Sequence, residues 1–177
     1  MIDGTDWPDL CDGSDLDDGH DESSIAQAAG LIRDACGWHI APSITEDRAL
    51  AAAGGRLLSL PSLHVIEVTS VRLASTNEVI PDAVLSEAGL LQLPLGRRWP
   101  SGIAAVRVTM VHGLPEAPPA ILSVINDLAG ALSPDQRAVS RFRDVELDGA
   151  KLGNWREQGA SADVMKTYGH VLLRYSL

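Results

Sequence analysis

The first periodic pattern in the chain is helical. Between about Ser23 and Cys36, apolar side chains recur every three or four residues and form one stripe of Ile25, Ala28, Ala29, Ile32 and Cys36. Gln27, Arg33 and Asp34 fall outside the stripe and are expected to face solvent. Asp21, Ser23 and Ser24 are residue types that cap helix starts, and Gly37 is the type most common just after helix ends. The pattern predicts a helix over 23–36.

A second helical pattern starts near Pro118 and Pro119 and continues to about Ser133, with a stripe of Ile121, Ile125, Leu128 and Leu132. Residues 135–160 have no clean period and are predicted to be mostly loop with short strands. The end of the chain is predicted to form a short helix over 162–168 and an extended segment over 170–175.

Between the two helices the pattern changes to short strands. The segments are 43–51, 56–60, 63–73, 83–85, 90–95 and 103–112, separated by glycine, proline and asparagine. Their short connections favour an antiparallel meander, and the apolar run Leu63 to Leu73 is the expected central strand. The fold class is therefore α+β: a helical body with two main helices, an inserted antiparallel β-region, and extended N- and C-terminal tails. The expected organisation is an acidic arm (1–22), a core domain (23–133) and a C-terminal tail (134–177).

The net charge of −10 is concentrated at the start of the chain. Nine of the 24 acidic residues lie within residues 1–22, which contain no lysine or arginine, whereas the remainder has 15 acidic and 14 basic residues. Binding to a nucleic-acid backbone needs clustered cations, so this distribution argues against tight DNA binding. No apolar run is long enough for a membrane span and no signal pattern opens the chain, so synthesis in a cytoplasm is expected.

The sequence offers little for catalysis or for metal binding. It contains no phosphate-binding loop, nucleophile elbow or zinc-protease motif. The acidic run 12–19 only partly matches a calcium loop, and a zinc site built from Cys36, His39, Cys11 and His20 would have irregular spacing. Arg97, Arg98 and Trp99 could stack on a nucleotide base, but a hairpin tip with an aromatic anchor is the preferred interpretation. We therefore expect no enzyme activity, no cofactor and no bound metal.

Several short motifs resemble a known family when they are taken in order. They are residues 32–42 (IRDACGWHIAP), 55–63 (GRLLSLPSL), 65–71 (VIEVTSV), Trp99-Pro100, 106–113 and 117–119. Together they resemble the head-to-tail adaptor, or connector, proteins of long-tailed, siphovirus-type actinobacterial phages, over roughly residues 23–133. The resemblance implies a structural virion protein in the neck. It would form a homo-oligomeric ring, typically of twelve copies, between the portal protein and a tail-side connector (stopper or tail terminator). The ring would continue the channel through which genomic DNA passes without specific binding.

Two segments are candidates for contacts in such a ring. The strand-prone residues Val171, Leu172, Leu173, Arg174 and Tyr175 are predicted to add to a sheet edge of a neighbouring subunit or of the portal, or else to form the last strand of the domain's own sheet. The acidic arm, with Asp12, Asp15, Asp17 and Asp18, is predicted to line the channel or to be a solvated tail. Alternative functions are another neck or head-completion component, a stand-alone β-rich binding module, and an enzyme of unrecognised type.

Overall fold

The computed structural model describes residues 7–16, 19–86, 89–133 and 160–177. Its helices are α1 (Glu22–Cys36), α2 (Pro119–Leu132) and α3 (Ala160–Leu172), with short 3-10 turns at Gly13–Asp15 and Leu173–Tyr175. Its strands are β1 (Ile44–Ala53), β2 (Leu57–Ser59), β3 (Val65–Leu73), β4 (Val84–Leu85), β5 (Leu90–Gln92) and β6 (Ser101–His112). Helices combined with antiparallel sheets confirm the α+β class.

The chain divides into two units. The helical unit comprises Met1–Gly37 and Glu116–Ser176, and the β unit comprises Trp38–Pro115. The whole net charge lies in the helical unit, because the β unit contains six acidic and six basic residues. The two units therefore differ in electrostatics as well as in secondary structure.

The helical unit is built as the periodicity predicts. The side chain of Asp21 accepts a hydrogen bond from the Ser24 amide (2.7 Å) at the start of α1. Gly37 ends the helix with φ 82° and donates its amide to the Arg33 carbonyl (2.8 Å). The apolar stripe of α2 is buried, as is that of α1 apart from the half-buried Ile25, and α1 packs against both α2 and α3.

The β unit consists of two three-stranded antiparallel sheets. The large sheet has the order β1-β6-β3 and the small sheet the order β2-β5-β4. Both contribute side chains to one core, which includes Leu58 and Leu91 from the small sheet and Val106, Val108 and Met110 from β6. Because side chains alternate along a strand, each sheet turns one face to this core and the other face away from it.

Two predictions about the strands are wrong. The strands are not paired in sequence order, since β1 pairs with β6 and β2 pairs with β5. The central strand is β6, whereas β3, which covers most of the predicted central segment, lies at an edge. Two irregularities interrupt β3, between Val65 and Glu67 and between Val68 and Ser70, and they leave Ile66 half-exposed. The apolar residues of 63–73 therefore do not all face a core.

The predicted C-terminal helix exists, but the extended segment after it does not. The helix α3 continues to Leu172 and is followed by a 3-10 turn over Leu173–Tyr175. Leu172 is fully buried and lies eight residues after the buried Val164. This spacing puts both side chains on one face of a helix, and their burial outweighs the preference of the local sequence for a strand. The predicted loop over 135–159 lies outside the described residues.

Close backbone packing occurs where the chain enters and leaves the β unit. The Leu114 amide donates to the Ile40 carbonyl (2.7 Å), and the Ser43 hydroxyl donates to the Gly113 carbonyl (3.0 Å). Gly113 has φ 103°, and a Cβ atom at this position would lie 2.7 Å from the Pro42 carbonyl oxygen. The close approach of these two backbone segments therefore requires glycine at position 113.

None of the helices in the described ranges is long and apolar enough to cross a membrane.

Two glycine-to-alanine changes should have opposite effects on the free energy of unfolding. Gly113→Ala should destabilise the chain by about 2–4 kcal/mol, because it combines a left-handed φ with a backbone clash. Gly30→Ala should stabilise it by about 0.5–1 kcal/mol, because Gly30 lies inside α1 with open space where its Cβ would be. Urea unfolding of both variants measures the two effects, and an unchanged Gly113→Ala variant would contradict the close packing.

Candidate interaction surfaces

Part of the N-terminal arm packs against α1. Leu10 is 3% exposed, and the Arg33 guanidinium donates to the Pro8 carbonyl (2.7 Å). The same guanidinium lies 5.5 Å from the centroid of the Trp7 ring, within cation–π range. Leu10 and Trp7 therefore attach the arm to the fold, whereas the prediction of a solvent-facing Arg33 is wrong, since Arg33 is 7% exposed.

Burial also sets the electrostatics of this contact. It lowers the pKa of Arg33 to about 10, against the opposing effect of Asp9, so the guanidinium stays charged at neutral pH. Burial, together with the charges of Asp15 and Asp9, raises the pKa of the Cys11 thiol. The arm thus covers the charged Arg33 guanidinium of α1, and the same burial keeps the neighbouring Cys11 thiol protonated.

The acidic residues of the arm that the structure describes organise a local turn. Asp12 accepts from the Ser14 amide (3.1 Å), and Asp15 accepts from the Asp12 amide (3.1 Å). The pair forms a capping box around Gly13–Asp15, and both residues are exposed to solvent. Asp17 and Asp18 lie outside the described residues.

The four residues considered for zinc each have another local role. The His20 ring is hydrogen-bonded to the Asn126 side chain (2.8 Å), and the His39 ring to the Pro42 carbonyl (2.6 Å). Cys36 is buried in α1, where burial raises the pKa of its thiol against a hydrogen bond with Ser176. Cys11 lies on the packed arm. Within the described ranges, no three His, Cys, Asp or Glu residues come together as metal ligands.

A polar cluster is enclosed within the β unit. The His112 ring lies 3.1 Å from a Glu46 carboxylate oxygen and meets the His39 ring edge-on, with ring centroids 5.9 Å apart. Glu46 is 7% exposed, and both histidines are fully buried. This burial indicates a structural role for His112, because a substrate cannot reach the imidazole.

The Arg97-Arg98-Trp99 segment is anchored by its tryptophan. Trp99 is buried, and its indole N–H donates to the Arg56 carbonyl (3.0 Å). Arg97 forms a two-point ion pair with Asp82 at 2.6 and 2.7 Å. An indole held in the core cannot stack on a nucleotide base, so the aromatic-anchor interpretation fits this loop.

The predicted C-terminal interface residues are split between the fold and solvent. Leu172 is buried, whereas Leu173 is 68% exposed and Arg174 is exposed as well. Val171 and Tyr175 are half-buried. A helical backbone cannot add as a strand to a sheet edge, so both strand hypotheses for Val171–Tyr175 are wrong, including a last strand in the chain's own sheet.

Two surface grooves of the β unit contain no ionisable side chain. One, of about 410 Å³, is lined by Ala74, Ser75 and residues 100–105. The other, of about 320 Å³, is lined by residues 68–71 and 79–81 together with Ala83, Leu85 and Leu91. General acid–base or nucleophilic catalysis needs titratable or activated groups, which neither groove supplies.

The β unit also exposes aliphatic side chains on both sheets and in its loops, where Leu95 is 87% exposed. On the small sheet, Leu57, Gln92 and Val84 are paired across β2, β5 and β4 and lie on the face turned away from the core. At the start of β6, Ile103 is 95% exposed. Alternation along β6 places Ile103 on the same side of the strand as the exposed Arg107, opposite to the buried Val106 and Val108.

Comparison with known proteins identifies the fold. No protein-family model and no curated protein matches this sequence. Among solved structures, the chain is similar to a subunit of the neck of a native GTA (gene transfer agent) particle computed with C12 symmetry, at a TM-score of 0.53 and 19% sequence identity. The alignment covers 99% of this chain and 91% of that chain. A second similar structure is from the neck of an empty GTA particle computed with C6 symmetry. It has the same TM-score and sequence identity, and the alignment covers 92% of that chain. At this identity the likeness establishes a shared fold.

A buried-leucine variant tests the packing of the arm. Leu10→Ala should release residues 7–16 and speed the labelling of Cys11 by a thiol reagent, because the thiol gains exposure and its pKa falls towards the ordinary value. We expect at least about a tenfold rate increase, which corresponds to about 1.4 kcal/mol of lost packing.

The matched control for this measurement is Leu173→Ala, the same chemical change at an exposed position of the helical unit. Peptide mass mapping separates Cys11 labelling from that of the buried Cys36. Equal rates in the wild type, Leu10→Ala and the control would contradict the packed arm.

Proposed function

We propose that this chain is a structural, non-enzymatic subunit of the neck of a tailed phage or phage-like particle, where it assembles as a homo-oligomeric ring. The main support is the extent of the fold similarity, which includes both units and 99% of the chain. The similar subunit belongs to a neck computed with C12 symmetry, and a cyclic ring needs one repeated contact between two different faces of each subunit. Exposed aliphatic groups on separate sheets of the β unit suit such a contact.

Within the neck, the proposed role is that of a head-to-tail adaptor of twelve copies. One face of the ring would bind the portal protein, and the other would bind a tail-side connector, either a stopper or a tail terminator. The motifs between residues 32 and 119 that resemble adaptors of actinobacterial siphoviruses support this assignment. The virion neck would then be the site of action, after synthesis in the host cytoplasm.

The charge distribution fits a channel that DNA passes without adhering. The helical unit carries the whole net charge of −10, and Asp12 and Asp15 expose their carboxylates. We propose that the arm, including Asp17 and Asp18, borders the channel, where negative charge repels the DNA backbone. Genomic DNA would then pass nearby without specific binding.

The C-terminal turn is the proposed contact with the portal or with a neighbouring subunit. Of the predicted residues 171–175, Leu173 and Arg174 are available on the surface, whereas Leu172 belongs to the fold. The contact would therefore be made by side chains of a helical turn and not by backbone pairing.

Imaging of the assembled protein tests the proposed function. The purified chain, alone and mixed with its portal protein, should show rings or portal-docked collars by negative-stain electron microscopy. A protein that stays monomeric in both samples and is missing from purified particles would contradict the proposal. It would instead favour a stand-alone β-rich binding module.

A single surface change tests the C-terminal contact. Leu173→Asp should weaken binding to the portal or to the neighbouring copy by at least about tenfold, because a charge replaces an exposed aliphatic anchor. Thermal unfolding should be unchanged, since the position is mostly solvated. Thr167→Asp, at an exposed polar site on α3, is the control and should bind normally. Normal binding by Leu173→Asp would remove this turn from the interface.

A further inference from the structure

The two sheets of the β unit have four outer edges, and three of them are poor templates for a further strand. β2 has three residues and β4 has two, so both edges of the small sheet are short. Extra residues interrupt β3 after Val65 and after Val68, and its far end already bonds to residues 78–80, where the Ile80 amide donates to the Val71 carbonyl (2.8 Å). Short strands, bulges and covering segments are the usual protection of sheet edges.

The fourth edge, that of β1, has none of these protections. β1 pairs with β6 without interruption from Ile44 to Leu50, and it contains no lysine, proline or glycine. Alternate residues of an edge strand turn their N–H and C=O groups away from the sheet. Among the described residues, the backbone of 47–50 is hydrogen-bonded to β6 alone. The edge of β1 therefore presents a regular, open row of backbone donors and acceptors.

The charged side chains of β1 do not protect this edge either. On the outer face of the sheet, the Asp47 carboxylate is paired with Arg107 (3.0 Å). On the inner face, the Glu46 carboxylate lies 3.1 Å from the His112 ring and 3.8 Å from the Arg48 guanidinium. Each charged group of β1 therefore has a partner within the chain, and an added strand would meet no unpaired carboxylate.

The same edge leaves apolar side chains only partly covered. Val106 on the central strand is fully buried, whereas Leu50, its partner on β1, is half-buried, and so is Ile44 at the start of β1. Ile44 and Leu50 both point to the inner face, because they lie an even number of residues from the buried Glu46. A further strand beside β1 would cover them with the side chains of its alternate residues.

The described strands of a second copy do not fit this edge. The edges of β2, β3 and β4 are too short or too irregular to match the regular run from Ile44 to Leu50. Two β1 edges could pair with each other, but a contact between identical edges is two-fold, so it closes a dimer and not a ring. The occupant that fits is an extended segment of a different protein, without proline and with aliphatic side chains at alternate positions.

We propose that β1 is the docking edge for such a segment, which an adjoining neck protein supplies and which adds to the large sheet as a fourth strand. The inference rests on the proposed function, since it names a surface through which the subunit would bind the portal protein or the tail-side connector. Main-chain hydrogen bonds would supply affinity, and contact with Ile44 and Leu50 would select aliphatic residues.

Hydrogen exchange of the β1 amides tests this pairing directly. In the free chain, alternate amides between Ile44 and Leu50 should exchange rapidly, since only every second amide of an edge strand is bonded within the sheet. In complex with the portal protein or the tail-side connector, these amides should slow by at least about tenfold, equivalent to about 1.4 kcal/mol of protection. Residues 66–70 of β3 are the internal control and should not change. Unchanged exchange of β1 in both complexes would overturn the inference.

A matched pair of leucine variants gives a second measurement. Leu50 and Leu73 are both half-buried, and they are paired with Val106 from opposite sides of β6. Leu50→Lys should weaken binding to the protein that docks by at least about tenfold, because an inward charge at a sheet edge opposes strand addition. Leu73→Lys should bind normally, and circular dichroism checks that both variants fold. Equal binding by the two folded variants would contradict the docking edge.

The outcomes separate this inference from the proposed function. Rings or collars whose β1 amides stay unprotected would refute the docking edge alone. Neither rings nor collars in any sample would refute the proposed function, and the docking edge with it. Protection of β1 in the chain alone that rises with concentration would show that a second copy occupies the edge, and it would overturn the choice of partner.

Discussion

The fold of the β unit depends on the pairing of β6 with strands on both sides. β6 is the longest strand, and Val106, Val108 and Met110 on its inner face are fully buried in the core shared by the two sheets. Without it, neither β1 nor β3 would have a partner in the large sheet. The pairing of Ile44 with His112 also brings together the points where the chain enters and leaves this unit, beside the close packing at Gly113.

The helices could be predicted from the sequence because their signals are local. The stripe in α1, the cap candidates Asp21, Ser23 and Ser24, and the Gly37 stop lie within one short segment, and the structure selects Asp21 as the cap. The order of the strands could not be predicted in this way, because β1 and β6 are about sixty residues apart and no local spacing rule indicates that they pair. Apolar content made the Leu63–Leu73 segment look central, whereas its irregular pairing makes it an edge strand.

The predictions of contacts failed where tertiary packing decided them. Arg33 lies off the apolar stripe, yet Pro8 and Trp7 cover it, so its exposure depended on a distant segment. Val171 to Tyr175 favour a strand by composition, yet the burial of Leu172 continues the helix. Alternation places Ile103 on the outward face of β6 with Arg107, but a strand pattern does not mark an exposed aliphatic side chain as a contact. The most exposed large aliphatic residue among those described was therefore not a predicted site.

Under the proposed function, the chemistry of this chain is that of contacts between surfaces. Glu46 and His112 are enclosed in the β unit, its two described grooves are uncharged, and aliphatic side chains are exposed on both sheets and in the loops. The most direct test is a cryo-electron microscopy reconstruction of the neck of the particle encoded with this chain. The account predicts a ring of twelve copies of this fold around the DNA channel. A neck whose density leaves no place for this fold would contradict it.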